Sequence, residues 1–147
     1  MQDNKSSEKS KKGRKSRASG ARFETKVRQN LEELGWNVTK WTNTVDYEKN
    51  KIVPAKRKYN PYLKALSIGT GFPDFVCFRH NSDGSYEIVG IEVKSNGYLD
   101  KVERGMCVWM LENKIFPRIL IAKKAREGRN GTIEYVDFNK RYNKSHL

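Results

Sequence analysis

The chain has 147 residues and a formal net charge of +13, from 30 Lys and Arg against 17 Asp and Glu, a length that suits one domain. It contains no run of ~18 apolar residues, which excludes a membrane span, and its polar, basic start lacks the apolar stretch of a secretory signal, so a cytoplasmic protein is expected. Cys77 and Cys107 sit apart among apolar neighbours, which excludes disulfide scaffolds and structural zinc domains.

Residues 1–20 carry seven basic and two acidic side chains, and from Lys5 to Gly20 nothing aliphatic is larger than alanine. Such a segment buries too little surface to offset its ordering entropy, so 1–18 is expected to be a disordered basic tail. The single folded domain then covers 19–147. Phe23, Val27, Leu31 and Leu34 fall at helical spacing, predicting a helix over Ala21–Leu34 that stops at Gly35. WNVTKW, 36–41, alternates as a half-buried strand does. Residues 40–64 again hold seven basic side chains against two acidic ones, interleaved with Trp41, Tyr47, Tyr59 and Tyr62. That mixture predicts a basic loop over 42–70 that lies along a polyanion, pairing with phosphates and stacking on bases. A solubilising tail and a partly ordered loop would have the same composition. Ser67, Gly69, Thr70 and Gly71 add a small-residue stretch that would let the backbone pass close to a phosphate, or serve as a plain flexible loop.

Phe72–Phe78 reads as a strand, Asp83-Gly84 as a hairpin turn and Tyr86–Lys94 as its antiparallel return. SNG, 95–97, precedes a second helix over about 99–113 with Leu99, Val102, Met106, Trp109, Met110 and Asn113 on one stripe. Pro117–Ala122 is a continuous apolar run of the central-strand kind, and Ile133–Phe138 an edge strand. The order is α-β-β-β-α-β plus one strand, a mixed α/β sheet with helices against it. His80 and His146 are too far apart in sequence to suggest a histidine metal site.

The charged residues gain meaning on those strands. Asp74 heads one strand; Glu92 and Lys94, two apart on its hairpin partner, point to one face. Two such carboxylates can converge on Mg²⁺ or Mn²⁺, and a lysine beside them can stabilise charge developing on a phosphate. An acid-x-Lys triplet alone says little, since the chain has four: Asp3-Asn4-Lys5, Glu24-Thr25-Lys26, Glu92-Val93-Lys94 and Glu112-Asn113-Lys114. Only the third lies in an apolar strand joined by a DG hairpin to a Pro-Asp strand. An exposed strand end with a simple Glu–Lys pair is the plain alternative.

GFPDF around Asp74, followed by IEVKS at 91–95, resembles the PD-(D/E)xK nuclease superfamily. RASGARFETKVRQNLEELGWNV resembles the opening helix of archaeal Holliday-junction resolvases and related virus-type replication-repair nucleases, and the likeness extends over about residues 13–124. It implies a restriction-endonuclease-like fold with an αβββαβ core flanked by helices. It implies Asp74 and Glu92 as metal ligands, Lys94 as the catalytic lysine, and Glu24 as a further carboxylate of the metal site. The cofactor would be Mg²⁺, with Mn²⁺ as substitute, and the products would carry 5′-phosphate and 3′-hydroxyl ends. The partner would be branched DNA, the assembly a homodimer, and the origin archaeal or viral. Two departures stand out: the linker before Pro73 is longer than in the resolvases, and the glutamine often found on the helix after the lysine is absent. Lys101 and Arg104 are the nearest polar candidates there. The expected DNA-binding residues are Lys11, Lys12, Arg14, Lys15, Arg17, Lys56, Arg57, Lys58, Lys101 and Arg104. The rival expectations are a flap or nicking nuclease on the same fold, and a non-catalytic nucleic-acid-binding protein on a nuclease scaffold.

Overall fold

The computed structural model describes residues 3–56, 58–60, 65–67, 71–126 and 131–142. The helix α1 (Asp3–Glu33) buries Phe23, Val27 and Leu31, one turn apart on one face. It ends before Gly35, whose φ of +90° an L side chain rarely adopts. It starts much earlier than the expected Ala21, and takes in residues of the predicted basic tail from Asp3 onward. Low hydrophobicity removes a reason to pack but not a reason to coil. Residues 3–22 contain no proline, and although Gly13, Gly20 and five serines are poor helix formers, the segment continues a helix that the packed half has already nucleated. All side chains from Arg14 to Arg22 are exposed.

The strand β1 (Asn37–Lys40) follows as expected. The basic loop expected over 42–70 is a second correction, because it folds into two hairpins. These are β2 (Asn43–Asp46) with β3 (Lys51–Pro54), and β4 (Lys58–Asn60) with β5 (Ala65–Ser67). Strands this short show little alternation in sequence, and the first hairpin gains its apolar cover from elsewhere, through Val45 and Ile52.

The chain then crosses itself. A Cβ on Gly71 would lie 2.5 Å from the Trp41 carbonyl oxygen and 2.6 Å from the Asn43 nitrogen, so only glycine fits. Phe72 N–H donates to Asn43 O at 2.9 Å, and the Phe72–Pro73 peptide is cis. Strand β6 (Phe75–His80) starts after this crossing, three residues later than the apolar pattern predicts. A turn at Asp83-Gly84 leads to β7 (Tyr86–Val93), then come α2 (Lys101–Glu112), β8 (Ile119–Lys124), β9 (Ile133–Asp137) and the short α3 (Phe138–Arg141).

Five strands form one sheet in the order β1-β6-β7-β8-β9. Only β7 and β8 are parallel; the other neighbours are antiparallel. The architecture is therefore α/β, a mixed and largely antiparallel sheet flanked by helices. Each face has its own core. On one, Phe23, Val27 and Leu31 of α1 meet Phe75, Cys77, Val89 and Ile91. On the other, Cys107 and Met110 of α2 meet Ile119, Ile121 and Phe116. Both cysteines are buried free thiols, as expected. Among the described residues no helix is long and apolar enough to cross a membrane.

Candidate active site

The β6–β7 hairpin brings the acidic residues together. Asp83 Oδ1 accepts from Ser85 N–H at 2.9 Å, fixing the turn, and the register pairs Phe75 with Ile91. One step further along the same register sets Asp74 opposite Glu92. Asp74 Oδ2 accepts the Val93 N–H at 2.9 Å, while its carbonyl accepts from Trp41 N–H at 3.0 Å. The aspartate is thus held by the strands on both sides of it.

Glu92 is the one charged residue buried among the described residues, at 6% exposure. Its register partner on β8 is Ile121, which places it on the α2 face. Burial pushes its carboxyl up to about 10, and the nearby Asp74 charge adds to the rise. Its Oε2 has no hydrogen-bond partner among the described residues. A buried carboxylate oxygen without a partner, facing a second carboxyl, is a donor set that suits a hard divalent cation. Magnesium commonly uses one or two protein carboxylates and takes its other ligands from water and phosphate.

Lys94 lies two residues beyond Glu92, and its Nζ is 2.8 Å from Glu103 Oε2. Burial pulls the ammonium down, but the hydrogen bond and charge of Glu103 outweigh it, and Lys94 stands above its usual value. Glu103 is itself fixed as the third residue of α2. Asp100 Oδ1 accepts from Glu103 N–H at 2.8 Å, and Glu103 Oε1 accepts from Asp100 N–H at 3.1 Å. The backbone hydrogen bond from Glu103 also holds the Asp100 carboxyl below its usual range. Glu103 was not among the expected site residues, although its capping-box spacing, Asp100-x-x-Glu103, is readable in the sequence.

Glu24 reaches the site differently. It lies on the α1 face, where its Oε1 is 2.5 Å from Lys40 Nζ. The same ammonium stands 3.9 Å from Asp74 Oδ1 and over the Phe75 ring. Glu24 therefore meets Asp74 through Lys40, a second residue that the motif does not single out. Among the described residues no three His, Cys, Asp or Glu side chains lie close enough together to hold a metal ion. The set brought together directly is Asp74, Glu92 and Lys94, with Glu103 behind the lysine. Beside it, a cleft of about 250 Å³ is lined by Ala21, Glu24, Thr25, Arg28, Lys40 and Phe75.

The expected cationic residues scatter more widely. Lys11, Lys12, Arg14, Lys15 and Arg17 are exposed along the first half of α1, and Lys56 is exposed after β3. Arg57, the side chain of Lys58 and the small-residue stretch 68–70 lie outside the described residues, as does His146. Lys101 is exposed at the start of α2, and the Arg104 guanidinium sits 5.6 Å from the centre of the Tyr142 ring. Trp109 serves the fold, since its Nε1 donates to Asn50 Oδ1 at 3.0 Å and pins the β2–β3 hairpin to α2. Tyr98 is exposed, with Arg141 over its ring at 4.4 Å.

Comparison of the chain with protein-family models, with curated proteins and with solved structures finds no match.

Proposed function

We propose that the protein is a metal-dependent DNA endonuclease with a restriction-endonuclease-like αβββαβ core, acting on branched DNA as a Holliday-junction resolvase. The observation that carries this reading is the Asp74–Glu92 carboxyl pair across the hairpin register, with Lys94 two residues beyond and Glu92 Oε2 partnerless in a buried site. A nucleic acid would be repelled by those carboxylates unless a cation stood between, while the chain as a whole carries +13. Asp74 and Glu92 would hold Mg²⁺ or Mn²⁺, and Glu24 adds a carboxylate beyond Lys40. When bound, the ion supplies Lewis acidity and a water acidified toward neutral pH.

The chain's own residues do the rest. Asp74 is kept in place by the Val93 N–H on Oδ2, which leaves Oδ1, 3.9 Å from the Lys40 ammonium, to meet an ion. Lys94 presents its ammonium next to the acid pair, fixed in direction by Glu103. It donates to the phosphate oxygen on which charge grows as the P–O bond breaks. Lys40 places a second positive charge on the other side of Asp74, suited to a neighbouring phosphate. A homodimer would carry two such sites related by a two-fold axis, matching symmetric cuts in two strands.

The test is incubation of wild type and Asp74→Ala with a four-way junction, linear duplex and single strand, in Mg²⁺ or EDTA. Junction cutting that needs Mg²⁺ and Asp74 is expected. Binding without cutting of any substrate would sink the enzyme reading. Equal cutting of duplex and junction would remove the resolvase reading and favour a nuclease for other DNA structures. Sedimentation in solution decides the dimer.

A further inference from the structure

Over Arg14–Arg22 the helix α1 runs with no buried side chain, all of them being exposed, and Lys5–Gly20 holds no apolar residue larger than alanine. A helix that is polar all round needs another reason to project from the domain. Basic residues lie all round its axis, and one sector of them lines up with a cleft on the domain. At about 100° per residue, Arg14, Arg17, Ala21, Glu24, Thr25 and Arg28 share an arc of roughly 100°. Lys12, Lys15 and Lys26 fall on the opposite side of the helix, with Lys12 about 20° from Phe23, the first core anchor. The last four residues of the arc line the cleft that Lys40 connects to Asp74.

We propose that this arc is a track for one strand of the nucleic-acid backbone, with Arg14, Arg17 and Arg28 pairing with successive phosphates and Lys40 passing the strand to Asp74. The inference rests on the nucleic-acid reading above and adds the direction from which the strand arrives. From Arg14 to Arg28 the rise is about 21 Å, several phosphates of one strand. Arginine suits the task because its planar fork pairs with two phosphate oxygens at once. Arg28 is already braced, since its Nε donates to Glu32 Oε1 at 3.2 Å and its Nη2 to Val38 O at 3.0 Å, which leaves Nη1 for a phosphate. Ala21 leaves a gap in the middle of the arc through which a backbone can reach the cleft. A lipid surface is the poorer fit, because this half-helix has no large apolar residue to insert.

Two double variants separate a track from diffuse charge. Arg14→Ala/Arg17→Ala and Lys12→Ala/Lys15→Ala each remove two positive charges from the same exposed helix, and alanine preserves helicity, which circular dichroism checks. Binding of a fluorescein-labelled four-way junction and a linear duplex is followed by anisotropy in EDTA over a salt series. The arginine pair is expected to lower the slope of log affinity against log salt by about 2, at ~0.9 for each lost phosphate contact. The lysine pair should change it by less than about 0.5 on the same scale. Arg28→Gln added to the arginine pair should remove about one further contact. Equal slopes for the two pairs would overturn the track, and so would an arginine-specific loss seen on phosphatidylglycerol vesicles but not on DNA. Track-specific binding without cleavage in Mg²⁺ would uphold this inference and sink the nuclease reading. No DNA binding by the wild type would sink both.

Discussion

Asp74 and Glu92 face each other across an antiparallel register, yet they differ in how they are held. Asp74 accepts a backbone N–H at 2.9 Å, whereas Glu92 Oε2 is buried without a partner. The pair is therefore one satisfied carboxylate beside one that burial drives toward its protonated form.

That asymmetry gives a pH dependence with a definite sign. The Glu92 carboxyl rises from 4.5 in the unfolded chain to about 10 in the ion-free fold. Between those values the folded protein keeps a proton that the unfolded chain has lost, so this group's stabilising contribution declines as pH rises. Glu92→Gln cannot titrate. In EDTA, the difference in Tm between the variant and wild type should move in the variant's favour as pH increases. A constant difference across that range would contradict the burial argument. With Mg²⁺ the variant should lose both cleavage and any Mg²⁺-dependent rise in Tm, while keeping DNA affinity.

Glu103 does two jobs that two substitutions separate. Glu103→Ala removes the Lys94 partner and the returning half of the capping box, the bond from Asp100 N–H, at about 0.5–1.5 kcal/mol for that hydrogen bond, while the Asp100 cap on the backbone stays. Glu103→Gln keeps a capping side chain but drops the charge. Urea melts should rank wild type first, then Gln, then Ala, and both variants should lower kcat more than KM. A Gln variant with unchanged kcat would show that Glu103 serves only the helix.

At Gly71 a methyl group has nowhere to go. Its three nearest neighbours, at 2.5 to 2.7 Å, all belong to the backbone of residues 41–43. Gly71→Ala should cost at least ~1–3 kcal/mol in denaturant melts. Because the crossing sets the start of β6, it should also displace Asp74 and reduce Mg²⁺-dependent activity beyond what the lost stability explains.

Asn50 holds the β2–β3 hairpin to α2 in a left-handed conformation, at φ +50°. Asn50→Gly should lose the Trp109 hydrogen bond alone, about 0.5–1.5 kcal/mol. Asn50→Ala should lose more, because alanine is strained there. Tryptophan fluorescence and hydrogen exchange over residues 43–54 would report the loosened hairpin.

The core of this arrangement is legible in sequence because its determinants are local. Asp83-Gly84 fixes the hairpin, the apolar run from Ile88 to Val93 fixes a buried strand, and together they set Asp74 against Glu92. Three other features depend on contacts distant in the chain. The short strands of 43–54 acquire apolar cover only when Val45 and Ile52 meet α2. Lys40 and Glu24, sixteen residues apart, become partners only once α1 lies on β1. The helix over residues 3–20 shows a different gap, since composition reports whether a segment can pack and not whether it coils onto a neighbour already helical.

The two ion pairs at the site stand on opposite sides of one sheet. Lys40 and Glu24 belong to the layer built on α1, Lys94 and Glu103 to the layer built on α2, and Asp74 at the head of β6 neighbours both. Each layer seats its own lysine through its own core. Trimming Val27 would slacken the side that carries Lys40 and Glu24, and trimming Met110 the side that carries Lys94 and Glu103. On the proposed nuclease reading, substrate reception and bond breaking would be tuned by separate sets of apolar residues, neither of which needs to touch DNA.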